Sequence, residues 1–310
     1  MTLELVVRRS TEIAENTREL TLARLDGGPL PGHPPGSHVV VECGQRRNAY
    51  SLTSSGIRPY EYTVAVLRRP GGRGGSERMH LFRVGDRVSV SVPRSAFAPV
   101  ATARRHLLIA GGIGVTPMLS HARDAVRWGR DVRMLYVHRT GAGAYVDELT
   151  ELLGGRLRRT VRGGEFGALL DEALVSQPIG THLYVCGPGP LMERVTQEAR
   201  AAGWPPQRLH LERFTPADPV PGRPFTARLR RSALNVAVSS ETSLLDALER
   251  AGVRVPNMCR QGVCGECRVP VLTGRPLHRD EYLSEDERAA GDSVMCCVSR
   301  SETELLEVDL

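Results

Sequence analysis

A chain of 310 residues exceeds what one small hydrophobic core organises, so two or three domains are expected. Its apolar content of 41% includes no long apolar run, which excludes a membrane span. Met1-Thr-Leu-Glu-Leu has neither a basic n-region nor an apolar h-region, so the seven cysteines are expected in a reducing cytoplasm. The net charge of +6 rests on arginine alone and is uneven: from Arg223 onward 12 Arg face 14 acidic residues, and before it 29 face 21. A basic body invites a nucleic-acid reading, but no aromatic–basic strip or helix-turn-helix pattern supports one. Steering of acidic cofactors, docking between modules or a solvated arginine-rich surface accounts for the charge.

In chain order, residues 1–103 read as short strands: Leu3–Arg8, Thr17–Ala23, His38–Glu42, Ala49–Thr53, Tyr60–Leu67 and Arg87–Val92. Gly-Pro clusters at 27–36 and 70–75 punctuate them, which predicts an antiparallel barrel. The pattern changes at Arg104. Strand His106–Ala110 runs into Gly111-Gly-Ile-Gly-Val-Thr-Pro117 and a helix, Met118–Trp128. Strand Arg133–His138, helices Tyr145–Leu153 and Gly167–Val175, strand His182–Cys186, helix Pro190–Ala202 and strand Arg208–Phe214 complete a parallel-sheet unit. Four prolines within 215–224 mark a stiff linker. Beyond it come a hairpin, Phe225–Arg230 with Leu234–Val238, and a helix, Thr242–Ala251, with Ser243 and Asp246 as a capping box and Gly252 as its stop. No internal repeat or low-complexity tract is present.

Five motifs carry chemistry. Gly111–Pro117 joins a strand to a helix, where small residues let backbone N–H groups approach a pyrophosphate; the plainer reading is a tight turn, and Pro117 stands where the last glycine of a G-x-G-x-x-G fingerprint belongs. Cys186-Gly187-Pro188 ends a later strand, where a second ligand turn is expected, although a strand-end cysteine is often mere packing. In the first domain, Arg47-Asn-Ala-Tyr-Ser-Leu52 combines a cation, an aromatic and a hydroxyl. Arg68–Ser76 offers glycine amides, guanidinium and hydroxyl suited to a phosphate, or else a flexible basic turn. Finally Cys259, Cys264 and Cys267 stand in the C-x4-C-x2-C spacing of a plant-type 2Fe–2S centre, with Cys296 and Cys297 downstream. Zinc commonly takes two C-x2-C hooks and only one is present, and disulfides are not expected without export. His33, His38, His80 and His278 have no partner at ligand spacing and read as structural or surface residues. The acidic run Asp280–Glu287 reads as a solvated face or a docking surface.

Together these motifs resemble the phthalate dioxygenase reductase family, within the ferredoxin–NADP reductase superfamily, over essentially the whole chain. The resemblance implies a multidomain fold: an antiparallel β-barrel flavin domain over 1–103, an α/β parallel-sheet nicotinamide domain over 104–214, the linker 215–224, and an α+β (β-grasp) ferredoxin domain over 225–310. It implies FMN at Arg47, Asn48, Tyr50, Ser51, Leu52, Val66, Arg73, Gly74, Gly75, Ser76 and Phe214, with Asn48 where the family has arginine. It implies a nicotinamide dinucleotide at Gly111, Gly112, Gly114, Thr116, Pro117, His138, Arg139, Cys186, Gly187, Pro188 and Met192. NADH is the usual donor, and Arg139 leaves NADPH open. The Cys297-Val-Ser-Arg300 context makes Cys297 the fourth cluster ligand, with Cys296 its neighbour. The implied activity is a cytoplasmic, monomeric NAD(P)H-dependent reductase with no obligatory side-chain acid or base. It delivers electrons to a separate terminal oxygenase of Rieske type, demethylating or ring-hydroxylating, and not to nucleic acid or membrane. A haem-thiolate acceptor and a redox-sensing module are the alternatives.

Overall fold

The computed structural model describes residues 2–44, 46–71, 74–95, 97–214, 221–257, 260, 262, 265–280 and 282–310. The chain divides into two units, residues 1–214 and 215–310.

The first unit opens with β1 (Thr2–Ala14), β2 (Thr17–Ala23), β3 (Ser37–Cys43), β4 (Arg46–Ser51), β5 (Glu61–Leu67), helix α1 (Gly75–Leu81), β6 (Arg87–Ser91) and β7 (Arg94–Ser95). Among the described residues the strands lie in the order β4-β3-β6-β1-β2-β5, with β7 beside β3. Leu52, just past β4, bridges Val64 of β5 and so joins the two ends of the sheet. β1 is longer than its apolar stretch predicts because it serves two neighbours in turn: Thr2–Val6 pairs with β6, then Val6–Ala14 pairs with β2. Inward-facing Leu5, Val7, Leu20, Leu22, Val39, Val41, Val64, Val66, Val88 and Val90 fill the barrel, as period-2 alternation requires. Helix α1 is a correction: Gly75 and Ser76, read only as the end of a phosphate-type loop, start a helix that buries Met79.

The sheet that follows contains β8 (Arg105–Gly111), α2 (Val115–Arg127), β9 (Val132–His138), α3 (Val146–Leu153), β10 (Leu157–Val161), α4 (Phe166–Val175), β11 (Thr181–Cys186), α5 (Gly189–Ala201) and β12 (Leu209–Glu212). All its pairings are parallel, in the order β10-β9-β8-β11-β12. This is the 3-2-1-4-5 order of a doubly wound dinucleotide fold, in which ligands sit at the carboxyl ends where the order reverses, between β8 and β11. Strand β10 corrects the expectation of two successive helices. Leu157-Arg-Arg-Thr-Val161 is an edge strand, so its side chains are largely solvated and no apolar run announces it. Helix α2 begins three residues before the expected Met118, because Pro117 falls in its first turn, where a missing N–H costs nothing.

Barrel and sheet are tied within this unit. Tyr145 donates to Glu19 at 2.7 Å, the Val100 N–H donates to the Tyr184 hydroxyl at 2.7 Å, and Arg123 donates to the Thr53 carbonyl while pairing with Glu148.

The second unit has β13 (Phe225–Leu229), β14 (Leu234–Val238), α6 (Leu244–Arg250), β15 (Arg268–Thr273), β16 (Pro276–Leu277), α7 (Glu285–Ala290), β17 (Ser293–Met295), β18 (Arg300–Ser301) and β19 (Leu305–Val308). Its main sheet runs β14-β13-β19-β15-β17, with β13 and β19 parallel, and α6 lays Leu244, Leu245 and Leu248 on it. Ser243 caps α6 by accepting the Asp246 N–H at 3.0 Å. Ser284 and Glu287 form a capping box for α7. The acidic run is therefore only partly a solvated face. Asp280 is buried, accepting the Leu283 N–H at 2.9 Å and the Ser299 hydroxyl at 3.0 Å, and Glu287 is a cap. No described helix is long and apolar enough to cross a membrane.

Candidate redox site

At the carboxyl end of β8, Gly111 lies against the turn that follows β11. A Cβ on Gly114 would meet the Cys186 carbonyl oxygen at 2.2 Å, and one on Gly187 would meet the Gly111 Cα at 3.0 Å. Two backbones approach so closely that only glycine fits, which explains the G-G-I-G and C-G-P motifs as one contact rather than two. Gly112 holds φ +54, the Thr116 hydroxyl donates to the Ile113 carbonyl at 3.0 Å, and Pro188 precedes α5. The N-termini of α2 and α5 thus meet at the switch point, where backbone N–H groups suit a pyrophosphate. Met192 goes elsewhere. It is fully buried in the core with Ile109 and Val195, so its place is packing. His138 ends β9 and Arg139 follows it, with the His138 Nδ1 2.9 Å from the Arg139 carbonyl.

The end of β4 faces the same place. Ser51 is buried and its hydroxyl donates to the Glu212 carboxylate at 3.5 Å, and Glu212 is the register partner of Cys186. Burial pushes the Glu212 carboxyl up to about 8, against the opposing Ser51 hydrogen bond. Burial likewise holds the Cys186 thiol well above its ordinary value, with the Glu212 charge adding to the effect. Both shifts favour the neutral form of their group, so this corner carries little charge and suits a flat redox ring. Sequence reading singled out Glu212 only as part of an end strand. The signal it lacked is the register that places Glu212 beside Cys186.

On the opposite face of β4, Asn48 donates to the Tyr50 hydroxyl at 3.3 Å and lies over Gly75, where a Cβ would stand 1.8 Å from the Asn48 Nδ2. Gly74 is left-handed at φ +84 and precedes α1, and Ser76 accepts the Arg69 N–H at 3.1 Å. Asn48, Tyr50, Gly74, Gly75 and Ser76 thus converge: Asn48 fills the space beside Gly75, the space beside Gly74 is open, and the amide, hydroxyl and backbone groups gathered there have the donor chemistry a flavin phosphate needs. Arg47 does not join them: alternation turns it to the other face, where it pairs with Glu42 at 2.8 Å. Arg73 lies outside the described residues. Leu52 and Val66 are buried in the barrel, and Phe214 is 37% exposed beyond β12. A residue missed from the sequence is Cys43, whose thiol is hydrogen-bonded with Tyr50 and pushed up to about 11 by burial.

In the second unit, Cys259 and Cys264 lie outside the described residues. The Cys267 and Cys297 sulfurs stand 3.2 Å apart in a buried setting, well beyond the roughly 2.05 Å of a disulfide. Cys296 instead turns into the core, its N–H donating to the Cys267 carbonyl at 3.2 Å and its thiol held well up by burial. The preceding loop turns through positive φ at Arg260, Gly262 and Gly265. Gly262 rests on Asp280 and Gly265 under the Tyr282 ring. Two facing thiols with a loop wrapped by glycines fit a 2Fe–2S centre. Among the described residues no group of three or more His, Cys, Asp or Glu is set to hold a metal ion. Of the histidines read as structural, His80 bonds the Val66 carbonyl at 2.8 Å, and His33 is 3.2 Å from the Pro34 carbonyl.

Comparison with known proteins agrees with this geometry. Residues 89–209 match the family described as dimethylamine monooxygenase subunit DmmA-like, N-terminal domain, and residues 228–302 match the 2Fe-2S iron-sulfur cluster binding domain. The chain is 42% identical over 301 residues to the heme-dependent oxidative N-demethylase beta subunit of Ectopseudomonas mendocina (strain ymp), covering 96% of each. It is similar to the solved phthalate dioxygenase reductase, with TM-score 0.75 and 34% identity over 100% of this chain and 98% of that one. It also resembles an intact type IV self-sufficient cytochrome P450 monooxygenase, with TM-score 0.81 and 33% identity over 100% of this chain and 41% of the other. The chain binds a flavin, a pyridine nucleotide and a 2Fe–2S cluster, and it belongs to the phthalate dioxygenase reductase family, the iron–sulfur flavoprotein reductases that pass electrons to oxygenases.

Proposed function

We propose that this chain is the reductase of a demethylating oxygenase system, drawing electrons from a nicotinamide dinucleotide through FMN and a 2Fe–2S centre held by Cys259, Cys264, Cys267 and Cys297. Domains at 1–103, 104–214 and 225–310, joined by 215–224, carry the three sites. When bound, the flavin takes a hydride and releases electrons singly, and the cluster carries one at a time. The residues of the chain bind, orient and exclude water. Asn48, Tyr50, Gly74, Gly75 and Ser76 hold the flavin and its phosphate, with Leu52 and Val66 as the barrel wall behind them. Gly111, Gly112, Gly114, Thr116, Gly187 and Pro188 hold the dinucleotide backbone. Ser51, Cys186 and Glu212 would line the corner where the flavin and the dinucleotide approach each other. What supports the reading above all is the meeting of β4, β11 and β12 at Ser51, Glu212 and Cys186, which brings the barrel strand that would carry the flavin to the strand ends that would carry the dinucleotide.

The resemblance implies NADH as donor, and the ribose end of the site decides between NADH and NADPH. The sequence points to a Rieske-type oxygenase as acceptor. The 42% identical relative, named as a heme-dependent N-demethylase subunit, favours a haem-containing one. The protein acts in the cytoplasm as a monomer. Purified holoprotein is expected to reduce cytochrome c with NADH or NADPH and to release FMN, identified by mass, on denaturation. Light scattering is expected to give one chain. Reconstitution with a haem-dependent N-demethylase component and with a Rieske demethylase component, scoring formaldehyde, separates the acceptors. Absence of flavin, or of cytochrome c reduction by loaded protein, would sink the reading.

A further inference from the structure

The sheet order fixes which way a dinucleotide lies. Its reacting end belongs where the turns after β8 and β11 touch, at Gly114 and Cys186, so its other end runs over the carboxyl ends of β9 and β10. There β9 ends at His138 and is followed by Arg139, while β10 ends at Val161 and is followed by Arg162. Val161 and His138 are register partners, and the Arg162 N–H donates to the His138 carbonyl at 2.8 Å. Two arginines thus leave neighbouring strand ends whose backbones lie about 5 Å apart.

The turn that carries Arg139 is closed rather than loose. The Ala142 N–H donates to the Arg139 carbonyl at 3.0 Å, and Gly143 packs so tightly on His138 that a Cβ would meet its ring at 2.7 Å. Both arginines are exposed, and neither is in an ion pair with a described residue. No carboxylate directly follows either strand end. Past the end of β9 the first acid is Asp147, already inside α3, and past β10 it is Glu165, just before α4. The Glu15 carboxylate of the barrel lies 3.7 Å from where a Gly141 Cβ would stand. A dinucleotide fold reads a ribose 2′-hydroxyl with an acid at this position and accommodates a 2′-phosphate with arginine.

We propose that the ribose end of this site takes a 2′-phosphate, with Arg139 and Arg162 as its specificity-determining residues, so that NADPH is the preferred donor. The inference rests on the electron-transfer reading above. Calorimetric titration of the flavin-loaded full chain with NADP+ and with NAD+ tests it apart from turnover. NADP+ is expected to bind at least about tenfold tighter, the worth of one charge-assisted hydrogen bond. Arg139→Ala and Arg162→Ala should each remove most of that margin. The ratio of kcat/KM for NADPH over NADH in cytochrome c reduction should fall in parallel. Equal or tighter binding of NAD+ overturns the proposal, as does an unchanged NADP+ margin in both variants. If neither dinucleotide binds flavin-loaded protein, the electron-transfer reading fails first.

Discussion

The two units build their sites by opposite means. In residues 1–214 the site is assembled from strand ends far apart in sequence. Ser51 meets Glu212, and Gly114 meets Cys186, because two sheets bring their carboxyl ends to one corner. In residues 215–310 one short loop does most of the work, turning through positive φ at Arg260, Gly262 and Gly265. It is pinned by side chains, as Arg260 pairs with Asp246 and Glu249 on α6. A site made by sheet register is rigid and intolerant of added atoms. A site made by a pinned loop depends on its ligands first and its pins second. Substitutions should therefore fail differently in the two units.

The largest expected effect separates Cys297 from Cys296. Cys297→Ser is expected to abolish the 2Fe–2S absorption of purified protein and to lower cytochrome c reduction by about a hundredfold or more, while flavin-linked ferricyanide reduction persists. Cys296→Ser should keep the cluster and lose only stability, by about 1–3 kcal/mol, because a hydroxyl replaces a fully buried thiol. Cluster loss in Cys296→Ser with retention in Cys297→Ser would reverse the assignment.

In the first unit the decisive change adds one methyl group. Gly114→Ala places a Cβ 2.2 Å from the Cys186 carbonyl oxygen and 2.8 Å from the Gly187 nitrogen, both backbone atoms that cannot rotate away. A loss of about 1–3 kcal/mol in denaturant unfolding is expected, with weakened dinucleotide binding. Gly155→Ala is the control, since a Cβ there meets open space, and it should stay within about 0.5 kcal/mol of the parent. Equal losses in the two variants would refute a register-built site.

These contrasts also explain what the sequence disclosed. Cysteine spacing is local, so the cluster loop was legible at once, and Ser243 as the cap of α6 was equally so. Glycine motifs were legible as turns but not as partners, because nothing along the chain states that Gly114 touches Cys186. Strand β10 escaped because an edge strand needs no apolar face, and α1 because its burial comes mainly from Met79. Asp280 was read with its acidic neighbours although it is buried under hydrogen bonds. Arg47 was read as a flavin partner because adjacency hides the alternation that turns it towards Glu42.

A subtler test of the register-built corner uses pH. The Glu212 carboxyl is raised to about 8, so the folded protein holds a proton that the unfolded chain releases near 4.5. By linkage the folded state loses stability as pH rises through that window, and the loss is complete above about 8. Glu212→Gln carries no such charge. Its melting temperature should exceed the parent's by a margin that grows from about pH 5 to pH 8 and then levels. A constant difference across that range would show that Glu212 is ordinary in the folded state.

The smallest expected effect concerns the pins of the cluster loop. Arg260 pairs with two carboxylates, Asp246 at 2.9 Å and Glu249, and also donates to the Asn257 side chain at 3.2 Å. With about a third of its side chain exposed, each pair contributes only some tenths of a kcal/mol, weakened further by salt. Arg260→Ala should then cost about 0.5–1 kcal/mol, from the lost pins alone, because the parent already carries a Cβ on a backbone at φ +55 and that strain is unchanged. Arg260→Gly loses the same pins but relieves that left-handed strain, at the cost of a more flexible unfolded chain. If the pins dominate, the two variants are equally destabilised at low salt and both approach the parent in 1 M salt. If backbone strain dominates, the glycine variant is the more stable at every salt concentration. Urea unfolding at two ionic strengths distinguishes these outcomes, and so decides whether ion pairs or backbone geometry hold the loop in place.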